Sequence, residues 1–158
     1  MMKKTIKTTA TVAIICVLAL TLAGTPALGC VQQNQSIVNV TVRGNVVNYA
    51  DLGGLVVSLD ISASGFCKAL VGFGVMQDEM CGKSTFVISG SICGNILEFS
   101  GWIVRNVGGP GAALKGTPVS IIANLKSGEL TYTFGPVTSI PGNPTFVFEG
   151  SGKVVVVR

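Results

Sequence analysis

Residues 30–158 are predicted to form an all-β domain, an antiparallel meander of about nine short strands rolled into a barrel or folded as a sandwich. Three observations predict it. Apolar and polar residues alternate with a period of two in segment after segment, tight turns containing glycine separate those segments, and no stretch of the domain has the spacing of an amphipathic helix. Ahead of the domain, residues 1–29 read as a hydrophobic signal helix.

The first strand is read from Val38, Val40 and Val42, which alternate with Asn39, Thr41 and Arg43 as the two faces of a half-buried strand do. After a Gly53-Gly54 break, Leu55, Val57, Leu59 and Ile61 alternate with Ser58 and Asp60 and predict a second. Between Phe66 and Met76 the set Cys67, Ala69, Val71, Phe73 and Val75 opposes Lys68, Gly72 and Gly74, and so is assigned to the inner face. A polar loop from Gln77 to Lys83, containing Cys81, follows.

Thr85 to Arg105 is the most strongly determined stretch, a hairpin closed by the two-residue turn Gly94-Asn95. Pairing Cys93 with Ile96 places Ile92 opposite Leu97, Gly90 opposite Phe99, Ile88 opposite Gly101 and Phe86 opposite Ile103. One face is then apolar throughout, and a slip of one residue would turn the whole set to the other side. The opposite face pairs Ser89 with Ser100, Ser91 with Glu98 and Val87 with Trp102. Asn106 to Thr117 is a glycine-rich loop. Val119 to Lys126 and Glu129 to Phe134 are expected to pair across Ser127-Gly128, with Lys126 opposite Glu129, Leu125 opposite Leu130, Ala123 opposite Tyr132 and Ile121 opposite Phe134. Thr145 to Glu149 and Lys153 to Arg158 are expected to form a last hairpin around Gly150-Ser151-Gly152, with Phe146 and Phe148 meeting Val156 and Val154.

The N-terminal stretch has the parts of an export signal. Lys3, Lys4 and Lys7 make a positive start, an apolar run follows from Ala10 to Gly24, and Ala27 and Gly29 are the small residues a signal peptidase reads before Cys30. Cleavage there frees the domain. Cys30 is also a candidate for lipidation, although Ala27 and Leu28 fit a lipobox poorly, and an uncleaved anchor is the third fate. A spanning helix needs about 20 apolar residues, and this run meets Thr25 and Pro26 first. All three fates export the domain, either secreted or attached to the outer side of the cytoplasmic membrane through residues 1–30.

Three of the eleven basic residues belong to that signal, leaving eight against seven acidic ones in the domain. The pI of 8.9 therefore describes the whole chain, and the clustered basic face of a nucleic-acid binder is missing. Charged residues are only 11% of the sequence, so Ser, Thr, Asn and Gly must keep the surface wet, or a partner, glycan or membrane must cover part of it. Cys16 is lost with the signal. Cys30, Cys67, Cys81 and Cys93 remain as an even set able to form two disulfides in an oxidising compartment, with buried free thiols as the alternative.

Little in the sequence carries chemistry. Histidine is absent, which removes the usual general base, and the cysteine spacings contain no C-x-x-C pair, so no zinc or other metal site is expected. Gly82-Lys83-Ser84 ends like a phosphate-binding loop, but Gln77 stands where its first glycine should be. Asp78 and Glu79 are adjacent and would point apart in an extended chain, so no carboxylate pair for glycoside hydrolysis is formed by them alone. No cofactor is implied. Trp102, with Glu98, Ser89 and Ser100 nearby on the outer face, is a candidate binding platform for a sugar or a peptide; the alternative is a tryptophan packed under a loop or against Val87. Asn34 and Asn39 head two glycosylation sequons. Gly101-Trp102 lacks the residue that lipocalin-like barrels keep between glycine and tryptophan, and nothing is carried over from that family.

These readings predict an exported, non-enzymatic β domain that binds a protein or glycan or builds a cell-envelope structure. A small barrel carrying an apolar ligand is the alternative, and an enzyme using carboxylates is the third.

Overall fold

The computed structural model describes residues 36–108 and 114–158. The signal segment, Cys30 and Asn34 lie outside the described residues. Eight antiparallel strands form a closed barrel in chain order: β1 (Val38–Asn48), β2 (Leu55–Phe66), β3 (Ala69–Asp78), β4 (Gly82–Cys93), β5 (Ile96–Val107), β6 (Pro118–Asn124), β7 (Glu129–Phe134) and β8 (Phe146–Val157). Closure comes from β8 pairing with β1, from Asn39 opposite Val157 to Val47 opposite Glu149. Closing the sheet leaves no free edge around the barrel, which is the stable solution for a meander whose every strand has one apolar face.

The period-two pattern decides the interior. Val38, Val40 and Val42 of β1 and Val57, Leu59 and Ile61 of β2 are buried, as their alternation predicts, and β1 extends the pattern to buried Val46. The β4–β5 hairpin has the predicted register throughout, from Cys93 opposite Ile96 to Phe86 opposite Ile103; a bulge between Thr85 and Phe86 then shifts Thr85 to face Arg105. Gly90 lies under its large partner as expected, since a Cβ there would come within 2.6 Å of Phe99 Cδ1.

Inside, Phe86, Phe99, Tyr132, Phe134 and Phe148 are all buried, with Phe146 half-buried beside them. Tyr132 and Phe148 have ring centroids 5.6 Å apart, and Phe134 and Phe146 6.3 Å, within the range of favourable aromatic pairs. Phe86 is 0% and Phe99 2% exposed, so no water-sized void opens against either ring. Each such side chain, fully buried, contributes about 1.5–3 kcal/mol of transfer free energy. The interior is apolar, and the wall carries the charges of Arg43, Asp60 and Lys153 in mid-strand beside exposed apolar side chains such as Val56, Val71 and Val155.

Four expectations are corrected. β3 presents Leu70 and Met76 inward with Gly72 and Gly74, while Val71, Phe73 and Val75 face out. The reason is space: the Phe86 ring occupies the position a Gly74 Cβ would take, and Gly72 lies against the backbone of Ala63. The β6–β7 register is two residues off, with Val119 opposite Phe134, Ile121 opposite Tyr132 and Ala123 opposite Leu130. Asn124 causes this, its side-chain oxygen accepting the N–H of Lys126 (2.9 Å) and Ser127 (3.1 Å) to make a longer turn. No last hairpin exists. β8 runs unbroken through Gly150-Ser151-Gly152, pairing with β7 over one half and β1 over the other, which reduces the expected nine strands to eight.

Last, no disulfide joins Cys67, Cys81 and Cys93 to one another. Cys67 is in the β2–β3 turn and Cys93 ends β4, at the barrel end where β1 begins, whereas Cys81 precedes β4 at the far end. The ten residues of β3 separating those ends span about 33 Å, and disulfides need Cα atoms within roughly 7 Å.

Candidate functional site

With the interior packed, the side chains available for recognition are those on the outside, and the pairing registers order them into rows across the strands. One row runs Thr41, Ser62, Phe73, Val87, Trp102 and Pro118 over β1 to β6. Phe73 and Trp102 are 57% and 56% exposed, with half-buried Val87 between them. Two strand spacings separate the two aromatic residues, about 10 Å. Trp102 is therefore not buried under a loop, and Val87 is its cross-strand neighbour.

Alongside runs a hydroxyl-rich row: Val71, Ser89, Ser100, Ser120 and Thr133. Trp102, Ser100 and Ser89 thus share one patch. Glu98 does not belong to it. Four residues before Trp102 on the same strand, it sits about 13 Å away along the barrel wall and has Ser91 and Ile122 as its cross-strand neighbours.

On the other side of Phe73 an open groove of about 660 Å³ crosses β1 to β4, lined by Arg43, Asn45, Ser58, Asp60, Ser62, Phe73, Val75, Gln77 and Lys83. Arg43 Nε donates to Asp60 (3.2 Å), and Ser58 Oγ donates to Asn45 Oδ1 (2.9 Å). Both partners of the ion pair are well exposed, so it adds at most about 1 kcal/mol to stability; its polar atoms remain within reach of a ligand.

No protein-family model matches the chain, and no curated protein and no solved structure is significantly similar to it. The site is therefore read from its own chemistry.

At the far end of the barrel the candidate acids are otherwise engaged. Asp78 Oδ1 accepts the N–H groups of Met80 (2.8 Å) and Cys81 (2.6 Å), closing the β3–β4 turn, and Glu79 is exposed beside it. Gly82-Lys83-Ser84 opens a strand, with Ser84 buried and accepting a hydrogen bond from Asn106 Nδ2 (2.5 Å). Burial, aided by the Asp78 carboxylate, pushes the Cys81 thiol above its ordinary value, which leaves it a poor nucleophile. Among the described residues no group of three metal-ligating side chains occurs. Asn39 is exposed on the outer face of β1, as its sequon requires.

Sequence reasoning missed Phe73 and the whole groove. The larger side chains of β3 read as its core face, whereas Gly72 and Gly74 mark the inner face because large neighbours occupy the space above them. Glycine alternating on one face of a strand, opposite a phenylalanine on the next, was the available signal.

Proposed function

We propose that this protein is an exported, non-enzymatic binding module that engages its ligand with the outside of its barrel. The observation that carries this reading is the exposed row Phe73–Val87–Trp102: two large aromatic side chains held in register on a rigid wall, each more than half exposed. Exposing that much ring surface forgoes burial, and contiguous apolar patches of this kind mark interaction surfaces. The buried, mutually packed rings of the interior support a ligand-contacting face on the wall. The signal read in residues 1–29 and the low charge of the domain support action outside the cytoplasm, at the cell envelope.

Trp102 is the sole tryptophan, so its emission reports directly on the proposed face. Titrating the protein with envelope fragments of the cells that export it should shift and quench Trp102 emission, and co-sedimentation should fall about tenfold in Phe73→Ala, a typical hot-spot loss. Retention of full binding by Phe73→Ala and Trp102→Ala, both folded, would abandon this reading.

A further inference from the structure

The groove beside Phe73 carries a statement about ligand class, resting on the outer-face reading above. We infer that it is a subsite for a neutral glycan that lies across the strands, stacking on Trp102 and Phe73 and continuing over β2 onto β1.

The lining excludes the other classes in turn. A peptide recognised by strand addition needs unpaired backbone groups, but β1, β2 and β3 are each paired on both sides beneath the groove, so only side chains are offered. A phosphate or polyanion needs clustered cations; Arg43 is already paired with Asp60, which leaves Lys83 as the one unbalanced charge among the lining residues. A hard metal ion needs several carboxylates, and Asp60 is the sole one here. An apolar ligand would strip water from Ser62 and Gln77, for which it offers no hydrogen-bond partner, and from the Ser58–Asn45 pair.

A sugar ring meets each requirement. Its C–H face suits the aromatic ring of Phe73 and the Val75 side chain, and its hydroxyl pairs suit the two amides, two serine hydroxyls and the Arg43–Asp60 pair. The direction follows from the rows. Thr41, Ser62, Phe73, Val87 and Trp102 are successive cross-strand neighbours, so the apolar stacking surfaces of β3 to β5 and the hydroxyl groups of β1 and β2 lie in one line across the barrel.

The test combines periodate, which cleaves glycans that carry free vicinal diols, and oligosaccharide competition, which also covers those that lack them, with a groove variant. Periodate oxidation of the envelope fragments, or competition by one of cellohexaose, chitohexaose, xylohexaose and mannohexaose, should abolish the Trp102 emission change. Asn45→Ala/Gln77→Ala should bind about tenfold more weakly, the loss of roughly two exposed hydrogen bonds, with an unchanged denaturation midpoint. Binding that survives periodate and that none of the four oligosaccharides displaces overturns the glycan assignment, and full affinity in the double variant overturns the groove assignment; in both cases the outer-face reading stands if Phe73→Ala still weakens binding. Absence of any Trp102 response to intact fragments overturns both.

Discussion

Tyr132 shows how a single polar atom is accommodated in the apolar interior. Its hydroxyl donates to Met76 Sδ at 2.7 Å across the barrel, and burial, with Asp78 and Cys81 nearby, raises its pKa far above the ordinary phenol value. A group whose folded pKa is raised stabilises the fold fully below its unfolded pKa, near 10, and that contribution is lost as pH rises beyond it, with a slope of up to about 1.4 kcal/mol per pH unit. Tyr132→Phe should therefore cost about 1 kcal/mol at neutral pH for the lost hydrogen bond and flatten the decline in urea midpoint between roughly pH 10 and 12. An unchanged alkaline slope would show that the phenol ionises in the folded state. Cys81 gives a second expectation. Peptide mapping of the unreduced protein should find no Cys81–Cys67 or Cys81–Cys93 cross-link, because the length of β3 lies between them; finding either refutes the strand order.

Element by element, the hairpin from β4 to β5 and the strand β8 mark the two extremes of legibility. The former declared its register because both strands alternate cleanly and Gly94, with φ of 59°, suits a two-residue turn. In β8, Gly150 and Gly152 look like turn residues, yet both are extended and are glycine because the neighbouring strand passes close: a Cβ on Gly150 would sit 2.8 Å from Val46 Cα and collide with the Asn45 carbonyl oxygen. Gly150→Ala should destabilise by about 1–3 kcal/mol, since backbone and not a flexible side chain has to move. Chemical denaturation measures it, and a loss below about 0.5 kcal/mol would mean that β1 and β8 do not close the barrel as described.

For the whole molecule, closure and filling have one consequence for function. β1 and β8 pair residues from opposite ends of the domain, and the barrel they complete is lined by aromatic rings in mutual contact. Titration of the folded protein with a fluorescent fatty-acid analogue should accordingly be flat, with uptake only where denaturant loosens the core. Saturable binding to the native state, displaced by an unlabelled fatty acid and insensitive to Phe73→Ala, would favour the carrier alternative over an outer-face module.

What the sequence determined by itself is what depends on neighbours along the chain: the all-β class, the inner faces of β1, β2, β4, β5, β6 and β7, and one complete hairpin register. It also placed Trp102, Ser89 and Ser100 together, because direct cross-strand neighbours follow from a known turn. Tertiary structure alone decided what depends on distant strands: barrel against sandwich, the continuity of β8, the outward turn of Phe73, and the separation of Cys81 from Cys67 and Cys93. In β3 the local pattern was ambiguous, with bulk on one face and glycine on the other, and the Phe86 ring on β4 settled which face had room inside. The groove could not be read from any one segment, since its lining comes from four strands and depends on the cross-strand registers and the outward face of β3.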